Sequence, residues 1–118
     1  MKFNVIVNGE KFTATMEDNS VVEDISKLCP FKTGFKRYKG HEYFTKLDKD
    51  IDVTGSELTK DVSKNDIVFY SGENSIVLFF EDAVIDPYQV IYLGKFDSDI
   101  SEFLNSQDEI ASVKFEVI

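Results

Sequence analysis

The chain has no tryptophan, one cysteine, one histidine and two prolines among its 118 residues. A lone Cys29 excludes an internal disulfide and fits a reducing compartment, so the cytoplasm is the expected location. One cysteine with one histidine, His41, falls short of the four ligands of a structural zinc site, and no cofactor is expected. No apolar run approaches the roughly 20 residues of a membrane-spanning helix. The amino terminus, MKFNVIVNGEKF, lacks the apolar core and small-residue cleavage site of a signal peptide. Positive charge is scarce as well: 13 basic against 22 acidic side chains leave a formal charge of −9. Such a surface repels phosphate backbones and anionic lipids, which removes nucleic acid and membranes as partners. The six glycines are scattered at turns, with no phosphate-binding loop, dinucleotide fingerprint or nucleophile elbow.

What is present is apolar and aromatic. Hydrophobic residues make up 42% and aromatic residues 14% of the chain, enough to bury the core of one domain spanning residues 1–118. Phe3, Val5 and Val7 alternate with polar residues, as do Phe12, Ala14 and Met16. Asn8-Gly9 between the two runs supplies both positive-φ positions of a tight hairpin, and that register sets Val5 opposite Phe12 and Phe3 opposite Ala14. SVVEDISKLCP then reads as a helix with Ser20 and Glu23 at capping-box spacing. Its inward stripe is Val21, Val22, Ile25, Leu28 and Cys29, and Pro30 ends it. Cys29 on that stripe reads as a small buried thiol rather than a nucleophile.

Two short strands flank a Lys39-Gly40 turn, and the turn predicts a solvated His41. A polar loop follows from Asp48 to Asn65. Asp48, Asp50 and Asp52 alternate like the start of a calcium loop, but Val53 stands where the glycine belongs and Thr59 where the bidentate glutamate belongs. The stretch NDIVFYSGENSIVLFF from Asn65 to Phe80 predicts a second hairpin. An even turn around Gly72 and Glu73 puts Ile67, Phe69, Ile76, Leu78 and Phe80 on one fully apolar face. Asp66, Val68, Tyr70, Ser75, Val77 and Phe79 fall on a mixed face covered in part. VIYLGKF reads as a strand buried on both sides, with Gly94 marking a bend or a close backbone approach. A helix is expected from about Ser98 to Leu104, and ASVKFEVI closes the chain as a strand. The fold class is mainly β, about eight short strands with two short helices, resolving its edges as a sandwich or barrel.

The hairpin KFNVIVNGEKFTATM, the helix closing in LCPF, then EYF, NDIVFY, SIVLFF, YLGKF and VKFEV occur in an order that resembles the small bacterial cyclophilin-like proteins. The resemblance spans nearly the whole chain and implies a closed antiparallel barrel of about eight strands with helices at its ends. Two positions depart from it: Asn65 stands where a glycine usually precedes the aspartate, and Glu81 where a glycine often follows LFF. Cyclophilins proper are peptidyl-prolyl isomerases using an arginine, a phenylalanine-lined proline pocket and an FMxxGGDF-type stretch. That stretch is absent here.

Arg37 is the single arginine, among Phe35, Tyr38, Tyr43 and Phe44. A guanidinium among rings can hold a carbonyl or carboxylate, and its ordinary alternative is stacking on a tyrosine at the surface. With no catalytic constellation, the expected function is a binding module. Its peptide or small-molecule ligand would lie in a groove near Arg37, Tyr43, Phe44, Tyr70, Phe79 and Tyr92. The second reading is a weak prolyl isomerase in which Arg37 supports the twisted amide.

Overall fold

A computed structural model describes residues 1–118. Its frame is the hairpin of β1 (Lys2–Val7) and β2 (Glu10–Met16), with Val5 opposite Phe12 and Phe3 opposite Ala14 as the alternation requires. Asn8 (φ +48°) and Gly9 (φ +89°) supply the turn. The further strands are β3 (Phe31–Tyr38), β4 (Glu42–Lys46), β5 (Asp61–Val62), β6 (Asp66–Tyr70), β7 (Ser75–Phe79), β8 (Ala83–Val84), β9 (Ile91–Phe96) and β10 (Ile110–Val117). Eight of them close an antiparallel barrel in the order β1-β10-β3-β4-β7-β6-β9-β2. Closure gives each of the eight strands a partner on both sides, which is how a chain of short apolar strands limits exposure of unpaired amides.

Helix α1 (Ser20–Leu28) joins the end of β2 to the start of β3, and α2 (Ser101–Asn105) joins the end of β9 to the start of β10. The antiparallel order therefore places the helices at opposite mouths. The cap of α1 is Asn19, one residue ahead of the expected Ser20: its extended backbone lets Oδ1 accept the Val22 N–H at 2.9 Å. Helix α2 starts three residues later than its apolar pattern suggests. Asp97 is engaged by Lys2, Thr13 and Thr15, and Asp99 accepts both the N–H and the hydroxyl of Ser101, so the chain turns before it coils.

Twenty-five buried residues fill the barrel, among them Ile67, Phe69, Ile76, Leu78 and Phe80, the apolar face of the second hairpin. Its other face, Val68, Val77 and Phe79, is roofed by Val62 and Val90 with Ala83 and Ile85 beside them. The roof is the two-stranded β5–β8 sheet: β5 forms inside the Asp48–Asn65 segment expected to be loop throughout, and β8 follows the second hairpin.

Asn65 occupies a position where the backbone itself selects the residue type. Its φ is +74°, a left-handed conformation open to Gly and Asn. Asparagine adds two bonds: Oδ1 accepts the buried Ile100 N–H at 2.9 Å and Nδ2 donates to Asp99 at 3.1 Å, docking the start of α2. Asn65→Ala is expected to cost about 3 kcal/mol, combining backbone strain with an unpaired buried N–H. Asn65→Gly escapes the strain and should cost about 1 kcal/mol less, so urea unfolding of both variants separates the two contributions.

Candidate functional site

The barrel separates the six residues expected to line one groove. Arg37 and Tyr43 are a cross-strand pair pointing into the mouth beneath α2, and Tyr43 is 0% exposed. The Tyr43 hydroxyl meets the carbonyls of Gln107 (2.9 Å) and Asp108 (2.6 Å). The Arg37 guanidinium lies 4.7 Å from the Phe80 ring centre and donates to the Asn105 carbonyl (2.9 Å), the Asn105 side chain and the Tyr43 hydroxyl (3.3 Å). It thus caps the carboxyl end of α2, where a cation complements the unpaired carbonyls. It also lies over the Tyr43 ring, 5.7 Å from its centre, so the alternative of stacking on a tyrosine is met, at the mouth of the barrel and alongside Phe80. Arg37→Ala should lower stability by about 1–2 kcal/mol, read by thermal unfolding, through loss of the cap and its charge-assisted bonds.

The other four lie outside the barrel, spread along its length. Tyr70 packs edge-on against Tyr88 at 5.9 Å, at the α1 end. Tyr92, also at that end, borders a cleft of about 480 Å³ between Asp18, Ser20 and Glu57. Burial and the nearby Asp66 and Glu17 raise the Tyr92 phenol above its ordinary value. Phe79 is 2% exposed beneath the roof, so it serves as a wall and offers no free surface. Phe44 remains half-buried on the outer face of β4, packed against that cluster.

Phe44 and Phe79 border a second set of residues, at the α2 end. Because Tyr43 points inward, Glu42 and Phe44 point outward, and pairing sets Glu42 between Tyr38 on β3 and Phe79 on β7. The Tyr38 and Phe44 rings meet edge-to-face at 6.2 Å. His41 is not the solvated imidazole its turn suggested: its ring stacks on Phe79 at 5.8 Å and 11°. Its Nδ1 lies 2.9 Å from Glu42 Oε1 without the alignment of a hydrogen bond, and it finds no other partner. The carboxyl of Glu42 is 14% exposed. Burial pushes it up from an ordinary 4.5 to about 7, against the opposing pull of the Lys39 ammonium. The same burial, followed by Lys39, lowers His41. Chemically the pair can hold one proton, accept a hydrogen bond or neutralise a cation, inside an aromatic wall.

Sequence reasoning passed over Glu42 because 22 acidic residues hid it. The available signal was the alternation in HEYF, which aims Glu42 and Phe44 to the side that Tyr38 also faces. Cys29 is half-buried at the α1 end, far from His41; burial raises its thiol to about 11 and the Sγ donates to the Ile25 carbonyl. A thiol held protonated is a poor nucleophile.

An eight-stranded closed barrel with a helix at each mouth is the cyclophilin-like architecture. A family model described as the cyclophilin-like family matches residues 5–116, and the chain belongs to that family. Among solved structures it is similar to a hypothetical protein of Archaeoglobus fulgidus determined in solution. The TM-score is 0.75 at 18% identity, covering 98% of this chain and 93% of that one. That likeness concerns the fold alone. No curated protein matches the sequence.

Proposed function

We propose that the protein is a non-catalytic binding module that holds a small molecule, or one side chain of a peptide, at the Glu42 recess. The observation that carries this reading is a carboxyl group kept largely from water between Tyr38, Phe44, His41 and Phe79, with no cation bonded to it. Burying such a group without a partner costs stability. Strained titration of this kind clusters where a protein meets a ligand. Phe44 and Phe79 of the expected groove belong to the recess. Arg37, on which the isomerase reading depends, is engaged by α2.

The test is amide-shift mapping with a mixed panel of short proline-containing peptides, amines and acids. Perturbations should gather on residues 38–44 and Phe79. Shifts confined to the cleft beside Tyr92, or scattered over the barrel, would place the site elsewhere.

A further inference from the structure

We infer that the Glu42 recess recognises organic cations, an alkyl- or methylated ammonium group seated against Tyr38 and Phe44 with Glu42 as counter-ion. This rests on the binding reading above and adds the chemical class of the ligand. The first support comes from the chain itself. The Lys39 ammonium lies 5.3 Å from the Tyr38 ring centre, so a cation already rests on one wall of the recess. It forms no ion pair with Glu42, whose one ionisable neighbour within ion-pair distance is His41. A ligand ammonium between the Tyr38 ring and Glu42 would meet both, whereas Lys39, held at a turn with φ +53°, meets the ring without pairing with the carboxylate. Second, ring faces are electron-rich and attract a weakly hydrated cation, most strongly away from water. Tyr38, 47% exposed, supplies an accessible face next to the shielded Glu42. Third, the carboxylate and a net charge of −9 both oppose an anionic ligand and steer a cationic one inward. Binding is a proton exchange: the ligand cation replaces the proton on Glu42, which leaves to solvent.

The experiment compares choline with its uncharged carbon isostere, 3,3-dimethylbutan-1-ol, by amide-shift titration of the full chain. Choline should perturb residues 38–44 and bind at least about tenfold more tightly than the isostere, a difference of about 1.4 kcal/mol. Glu42→Gln and, separately, Tyr38→Ala should each weaken choline by a similar factor. Lys39→Asn, which tolerates the left-handed backbone, should strengthen it by removing the competing ammonium. Equal or tighter binding of the isostere at the recess overturns the cation class while leaving the binding reading in place. No perturbation of the recess by either compound overturns the class, and silence there from the peptide, amine and acid panel removes the binding reading too.

Discussion

Gly94→Ala is expected to destabilise the protein by about 3 kcal/mol, at the upper end of what overpacking costs. A Cβ at this position would lie 2.5 Å from the Thr15 carbonyl oxygen, 2.7 Å from Met16 Sδ and 2.8 Å from Met16 Cα. Two of these are backbone atoms, which cannot swing aside as a flexible side chain would. They belong to the β2–β9 seam, which closes the barrel with only three residue pairs: Ala14 with Phe96, Thr15 with Lys95 and Met16 with Gly94. A register shift between β6 and β9 at the same place leaves Leu93 as the extra residue, so strand β9 bends where it meets β2. Moving the strands apart to admit a methyl group would open the cylinder. Urea unfolding measures the effect, and a loss below about 1 kcal/mol would show that the seam yields more readily than close packing allows.

Glu42→Gln is expected to have the opposite sign. In the folded chain the Glu42 carboxyl holds its proton up to about pH 7, against an ordinary value of 4.5. Below pH 4.5 both folded and unfolded chains are protonated and nothing is lost. Between 4.5 and 7 the unfolded chain ionises first, so folding stability declines across that window and the full loss is present above it. The unscreened ceiling is about 3 kcal/mol. Water reaching the carboxyl reduces this to on the order of 1–2 kcal/mol. Glutamine has no charge to desolvate, so the variant should be more stable by that amount at pH 8, equal to the parent at pH 4, and poor at binding. Asp97, lowered to about 2 by Lys2, Thr15 and Thr13, and Asp99, lowered by Ser101 and Asn65, act in a more acidic range and leave this window clear. A gain in stability coupled to a loss of binding is the mark of a residue kept for its ligand.

The period-two patterns were readable because one face of each strand meets a continuous core. They fixed the β1–β2 register and the split of the second hairpin into two faces, but left sandwich and barrel open, and only the resemblance in the order of motifs implied the closed barrel that forms. Gly94 was legible as a point of close approach for the same reason. Local chemistry misled where neighbours compete: Asn19 and Ser20 are both good caps, and only the backbone shows that Asn19 acts. The roof over Phe79 was invisible because β5 and β8 are two residues each, too short for any period. Residues expected to share a groove were chosen by composition, and inside–outside alternation then parted Arg37 and Tyr43 from Phe44, Tyr70, Phe79 and Tyr92. The role of Arg37 depends on Asn105, distant in sequence. The setting of Glu42 likewise needs three strands to bring Tyr38 and Phe79 to its two sides.

The decisive measurement is the pH titration of the Glu42 side-chain carboxyl by carbon-13 NMR, in the free protein and with choline present. A midpoint near 7 in the free protein, falling when choline is added, is the result expected of a shielded carboxyl that awaits a cation. A midpoint near the ordinary 4.5 that choline leaves unmoved would mean that Glu42 is simply hydrated at the surface, and the recess would lose its claim to be a site.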